Sequence, residues 1–193
     1  MANVLIPLAQ GFEELEAISI IDILRRAGIK VVVAGLTDGP IKASRGTNVL
    51  PDMNLDDALQ QEYDMVALPG GMPGASNLND DARVHDLLKT MANSDKFTGA
   101  ICAAPIVLAN AGILDGKRVT SYPGFVDKMD LPTVDYTGSP VERDGKVITS
   151  RGAGTALDFA LELVDALVGR DKRDEVEASL KRPQPNEQAA VSA

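Results

Sequence analysis

The sequence predicts an α/β fold, a mostly parallel sheet with helices on both faces. Strand and helix patterns alternate along the chain, and the strand candidates are apolar or β-branched runs of the kind that is buried on both sides. Tight glycine turns or sharp breaks into helix stand where they end. The 193 residues, 45% hydrophobic and 24% charged, fit one domain, expected over residues 1–182.

Taken in order, Ala2–Ala9 is an apolar first strand, and Glu13–Ala27 is a helix whose acidic first turn sits where the helix dipole favours negative charge. Gly28 ends that helix, and the β-branched Ile29–Ala34 is a second strand. Ile41–Leu50 reads as a short antiparallel excursion around Arg45-Gly46, and Leu55–Leu59 as a brief helix. Asp64–Leu68 is a buried strand that runs into Pro69-Gly70-Gly71-Met72-Pro73-Gly74, a turn without room for side chains. Asp80–Ala92 is a helix, Phe97–Ile101 a strand, Pro105–Ala111 a helix and Arg118–Ser121 another strand. Pro140–Glu142 and Lys146–Ser150 flank Asp144-Gly145, a hairpin signal. Ala156–Val168 has apolar residues at helical spacing and is expected to pack on the sheet. After Arg170 the chain is charged, and residues 183–193, rich in Pro, Gln, Asn and Ala, are expected to form a disordered tail.

Composition excludes several function classes. The single cysteine, Cys102, rules out an intrachain disulfide, and one cysteine with one histidine, His85, cannot build a Cys/His zinc site. A net charge of -9 argues against nucleic acid as a partner. The N-terminus lacks the basic start of a signal peptide and no apolar run reaches membrane-spanning length, so a cytoplasmic protein without a membrane partner is expected. No metal or cofactor is expected, and Pro69–Gly74 matches neither G-x-G-x-x-G nor a phosphate loop.

Ligands of open parallel sheets bind beyond the carboxyl ends of the strands, which draws attention to three turns. Cys102 stands where the strand Phe97–Ile101 breaks into a helix, facing free backbone N–H groups and a helix dipole that favour thiolate. The plain alternative is a buried cysteine acting as a small hydrophobe. Glu16, between Leu15 and Ala17, is the acid expected to turn inward, where burial raises its pKa and leaves it protonated. Glu13 and Glu14 are expected to be solvated. Gly70 and Gly71 form a tight turn or, with Ala103, a site where backbone N–H groups of Gly71 and Ala103 point at one oxygen. His85, beside Asp86, reads as a surface histidine, and Arg45 as a turn residue or a donor to a substrate carboxylate or a partner subunit.

The motifs Gly11-Phe12-Glu13-Glu14-Leu15-Glu16, Leu68-Pro69-Gly70-Gly71, Ala100-Ile101-Cys102-Ala103-Ala104-Pro105 and Thr149-Ser150-Arg151-Gly152-Ala153-Gly154-Thr155 occur in the order and spacing of a known family. Together they resemble the ThiJ/PfpI superfamily, most closely its DJ-one (Parkinson's-linked protein deglycase)/YajL branch. Any one motif is weak, but four in register are specific, and the likeness runs from the first strand to about Leu180. The resemblance implies a flavodoxin-like three-layer sandwich, a homodimer and a reactive cysteine at a nucleophile elbow, here Cys102. It also implies a protonated glutamate, here Glu16, hydrogen-bonded to the sulfur, with N–H groups from Gly71 and Ala103. The family is associated with oxidative-stress protection, glutathione-independent conversion of methylglyoxal to lactate, repair of glycated protein side chains and holdase chaperoning.

The chain departs from the family at one point. Tyr122-Pro123 stands where many relatives have a histidine before a proline, so a histidine base is absent and Glu16 or water must move protons, with the Tyr122 phenol as a further hydrogen-bond donor. Ala103 directly after the thiol also sets the chain apart from the intracellular proteases of this fold, which carry histidine there. The amidotransferases of the fold need a histidine later in the chain, and His85 precedes the cysteine. Three functions are compatible with these residues. The first is an enzyme that attacks small 2-oxoaldehydes or glycated side chains through Cys102. The second is a redox sensor and holdase whose cysteine is oxidised to sulfinic acid, and the third is a small-ligand binding module.

Overall fold

Side chains of successive strand residues point to opposite faces, and the first strand sorts its residues accordingly: Val4, Ile6 and Leu8 join one buried core and Leu5 the other. Both cores are shown by a computed structural model that describes residues 1–182; the expected tail, 183–193, lies outside the described residues. The chain runs β1 (Asn3–Leu8), α1 (Glu14–Arg26), β2 (Lys30–Gly35), β3 (Ile41–Lys42), β4 (Asn48–Val49), β5 (Met53–Asn54) and α2 (Leu55–Ala58). It continues through β6 (Met65–Leu68), α3 (Gly74–Asp80), α4 (Ala82–Asn93), β7 (Phe97–Ile101), α5 (Pro105–Asn110), β8 (Arg118–Val119) and β9 (Asp135–Tyr136). The hairpin β10 (Val141–Asp144) and β11 (Val147–Ser150) then leads to α6 (Ala156–Val168) and α7 (Arg170–Leu180).

Seven strands form one sheet in the order β10-β11-β7-β6-β1-β2-β5, parallel except for the antiparallel edge strand β10. Residues of α1, α6 and α7 fill one core and residues of α2 to α5 the other, which makes the expected three-layer α/β architecture. The sheet core is closed tightly under α6. A Cβ on Gly99 of β7 would lie 3.2 Å from Leu163 and 3.3 Å from Phe159, so the strand carries no side chain where the helix lands.

The structure corrects the sequence reading in four places. Arg118–Ser121 is not a strand of the main sheet: only Arg118–Val119 is extended, and it pairs with β9 in a separate two-stranded sheet. The glycine turn after β6 ends at Gly74, where α3 begins, and Asp81 then caps a second helix, α4, with its side chain on the Arg83 N–H. The edge strand β5 and the helix α7 had no periodic signal. α7 is polar nearly throughout, buries Val176, and is laced by ion pairs such as Arg173 with Glu177 and Arg170 with Asp174. Among the described residues no helix is long and apolar enough to cross a membrane.

Phe159 of α6 is fully buried against this closed face. Phe159→Ala is expected to lower the unfolding free energy by about 3–5 kcal/mol, read from urea denaturation; a loss under about 1 kcal/mol would show that α6 repacks freely over the sheet.

Candidate active site

From β1 the chain steps to β2 on one side and later returns to β6 on the other, so the strand order reverses at the β1/β6 boundary. Connections leaving adjacent strands in opposite directions open a crevice at their carboxyl ends. The three turns singled out from the sequence follow β1, β6 and β7, which are neighbours in the sheet. They meet around a cleft of about 430 Å³ lined by Glu13, Glu16, Ser44, Arg45, Gly71, Met72, Cys102, Ala103, Tyr122, Phe125 and Ala153.

Cys102 sits one residue beyond β7 with φ 63, in the left-handed region that a side chain normally avoids, at a cost of about 1–3 kcal/mol. Its amide is clamped on both sides: the N–H donates to the Ser150 carbonyl at 2.9 Å, and its carbonyl accepts the Tyr122 N–H at 2.8 Å. The thiol is half-buried, and the N–H groups of Gly71 and Ala103 donate toward its sulfur.

Glu16 reaches the thiol from α1. Glu13 caps that helix, accepting the Glu16 N–H at 2.8 Å, and Glu16 itself is fully buried. Its Oε2 accepts the Gly70 N–H at 2.8 Å, while Oε1 has no hydrogen-bond partner among the described residues. Gly70 has to be glycine: a Cβ there would lie 2.7 Å from Cys102 Cβ and 2.9 Å from Glu16 Oε2.

Burial pushes the Glu16 carboxyl up to about 7, against the Gly70 N–H and the Cys102 contact, which pull it down; nearby Glu13 adds to the rise. Burial also pushes the thiol up to about 12, helped by the neighbouring Glu16 carboxylate, while the Gly71 and Ala103 N–H groups pull it down. The helix start therefore does not depress the thiol by itself, as the sequence reading expected: α5 has only six residues, and burial beside a carboxyl outweighs it. The contribution from Glu16 depends on its being ionised. Above neutrality the two groups hold one proton between them, and when the carboxyl carries it, Glu16 donates to a thiolate instead of repelling one.

Tyr122 is half-exposed on the rim, its ring edge-on to Phe125 at 6.3 Å. Arg45 is exposed on the cleft wall, and its guanidinium has no ion-pair partner among the described residues. Its loop is held by Glu14, which is not simply a solvated carboxylate: it accepts the Ser44 hydroxyl and the N–H groups of Arg45 and Thr47. Desolvation raises its carboxyl, but its own N–H and those of Arg45 and Thr47 outweigh that and hold it below the usual carboxylate range. Glu13 is likewise engaged as the cap. His85 is not part of the cleft; its Nε2 lies 2.7 Å from the Asn79 carbonyl. Met72, Phe125 and Ala153 also line the cleft. Nothing in the sequence set Phe125 apart, because it reaches Tyr122 through an irregular loop.

A DJ-1/PfpI family model matches residues 2–166. The Parkinson disease protein 7 homolog of Danio rerio is 44% identical over 179 residues, which is 91% of this chain and 95% of that protein. The glutathione-independent glyoxalase DJR-1.2 of Caenorhabditis elegans is 39% identical over 171 residues, 89% of this chain and 90% of that one. The crystal structure of Drosophila melanogaster DJ-1beta superposes with a TM-score of 0.89 at 42% identity, covering 95% of this chain and 99% of that chain.

The raised carboxyl carries a pH signature. Unfolded, Glu16 titrates near 4.5; folded, near 7. Between these values the unfolded chain releases the proton first, so stability falls as pH rises, by roughly 3 kcal/mol across the window. Glu16→Gln removes this titration, and its unfolding free energy relative to the parent is expected to climb by that amount from pH 4.5 to 7.5. A pH-independent difference would mean that the carboxyl is ionised throughout.

Proposed function

This chain belongs to the DJ-1/PfpI family, a family that includes glyoxalase-type enzymes, and from that premise we propose that it converts small 2-oxoaldehydes to 2-hydroxy acids without glutathione. The observation that carries the reading is the buried Glu16, titrating near neutrality with one oxygen unpartnered, beside a thiol at the head of a cleft. A general acid/base works best with its pKa near the working pH.

In this mechanism the Cys102 thiolate attacks the aldehyde carbon of methylglyoxal. The C–S bond forms, the carbonyl pair moves to oxygen, and the Gly71 and Ala103 N–H groups stabilise that charge until Glu16 delivers its proton. Glu16, now a carboxylate, removes the hydrogen of the same carbon to give an enediol and returns a proton to the neighbouring carbon, leaving a lactate thioester. Water cleaves the thioester and restores the thiol. No oxidant or cofactor enters. The same attack serves a deglycase acting on carbonyl adducts of protein side chains. Arg45 and Tyr122, on the rim, are the donors assigned to the substrate's second carbonyl.

A second reading has one feature in its favour: the unpartnered Oε1 of Glu16 is placed to hold an oxygen on an oxidised sulfur. Two peroxide equivalents, each leaving as water, would take the thiolate to sulfinic acid in a redox sensor or holdase. For either reading we place the protein in the cytoplasm, which suits an unpaired thiol, and assign it a second copy of itself as partner. Leu15 and Ile18, 52% and 45% exposed on α1, form the apolar patch that the copy would cover.

Purified, freshly reduced protein is expected to convert methylglyoxal to lactate with no glutathione present. Cys102→Ala should abolish turnover, and Glu16→Gln should lower kcat by about a hundredfold. Equal rates for the parent and Cys102→Ala would overturn the enzymatic reading. A clean stop at two added oxygens under peroxide, measured by intact mass, would then favour the sensor.

A further inference from the structure

Beneath the elbow lies a cluster of buried hydroxyls with no part in the chemistry above. Ser150, the last residue of β11, is fully buried, and Thr155, which precedes α6, is nearly so. The Ser150 and Thr155 hydroxyls lie 2.7 Å apart, and either can donate to the other; the Pro140 carbonyl, 2.9 Å from Ser150 Oγ, and the Gly152 carbonyl are the further acceptors for their two protons. Thr155 Oγ1 accepts the Gly152 N–H at 3.2 Å and lies 2.8 Å from the Gly152 carbonyl. Over Gly152 packs the Tyr122 ring, close enough that a Cβ on that glycine would be 3.3 Å from it.

These contacts close a ring through the thiol residue. Cys102 donates to the Ser150 carbonyl, Ser150 meets Thr155 through its hydroxyl, and Thr155 holds Gly152. Gly152 supports Tyr122, whose N–H returns to the Cys102 carbonyl. The two bonds that clamp the left-handed residue thus come from two different segments, β11 and the loop at Tyr122. The hydroxyl pair links them from below.

We propose that Ser150 and Thr155 are positioning residues for Cys102, a hydroxyl pair that locks the elbow so that the sulfur stays aimed at the Gly71 and Ala103 N–H groups. The proposal rests on the reading of Cys102 as a reactive thiol, not on the reaction that follows. A loosened elbow lets the sulfur swing away from both donors, and the thiolate loses their stabilisation.

The test is the pH dependence of Cys102 alkylation by iodoacetamide, measured by intact mass on the parent, Thr155→Val, Ser150→Ala and Thr155→Ser. Thr155→Val keeps shape and volume and removes only the hydroxyl. It is expected to move the alkylation midpoint up by about one pH unit, and so to slow alkylation about tenfold below the midpoint. Ser150→Ala should do the same, and Thr155→Ser should restore the parent profile. A purely stabilising role would lower the melting temperature and leave the midpoint in place. Folded Thr155→Val with the parent's rate and midpoint overturns the proposal, and if that variant does not fold, a parental profile in Ser150→Ala does so. A parent thiol that reacts no faster at neutral pH than a free cysteine overturns the reactive-thiol reading itself. A fast parent with equally fast variants overturns only the positioning role.

Discussion

Everything at this site depends on two backbone turns lying in direct contact. The turn after β1 and the turn after β6 exchange main-chain hydrogen bonds, Glu13 N–H to the Gly70 carbonyl at 2.9 Å and Gly74 N–H to the Gly11 carbonyl at 3.1 Å. No side chain fits between them: a Cβ on Gly71 would stand 2.4 Å from the Glu13 nitrogen, and one on Gly74 2.5 Å from the Phe12 nitrogen. That approach delivers the first turn of α1 to the end of β7. It is what allows a carboxyl from one element to sit beside a thiol from another with only Gly70 between them.

The energetic consequence is a pair of ionisable groups removed from water. Each alone resists charging, since a buried charge without a partner is costly. Together they accommodate one negative charge, because Gly70, Gly71 and Ala103 turn N–H groups inward and one proton is left to the pair. Donors that belong to the backbone of rigid turns need no reorganisation when charge develops on a reacting oxygen. The strained φ of Cys102 belongs to the same design, for it lifts the side chain off the strand axis and into the cleft.

Much of this was legible in the residues. Apolar runs ending in glycine or in a sharp break marked β1, β6 and β7, and the single cysteine marked the elbow. Glu16 was legible from its helical position and not from its flanking residues. Its neighbour Leu15 is 52% exposed, so flanking residues say little about a helical side chain. Glu16 lies instead on the stripe of Ile20 and Ile23, four and seven residues on, which is buried against the sheet. Where pattern was absent, reading failed: α7 has almost no apolar stripe, and Thr120-Ser121 look β-prone yet belong to a loop in which the Thr120 N–H donates to Thr149 of β11 and the Ser121 hydroxyl accepts the Val126 N–H.

By itself, then, the sequence determined the alternation of elements, the two-faced sheet, and the residue types available for chemistry. These follow from local periodicity and from glycine's small size, which act over a few residues. Only the tertiary structure decided that β1, β6 and β7 are adjacent, that Glu16 faces the sulfur while Leu15 faces outward, and that burial lifts both acids instead of the helix start lowering the thiol. Those outcomes depend on strand order and on water excluded by distant segments. A pKa and a cleft are properties of that packed surrounding, and no window of the chain contains it.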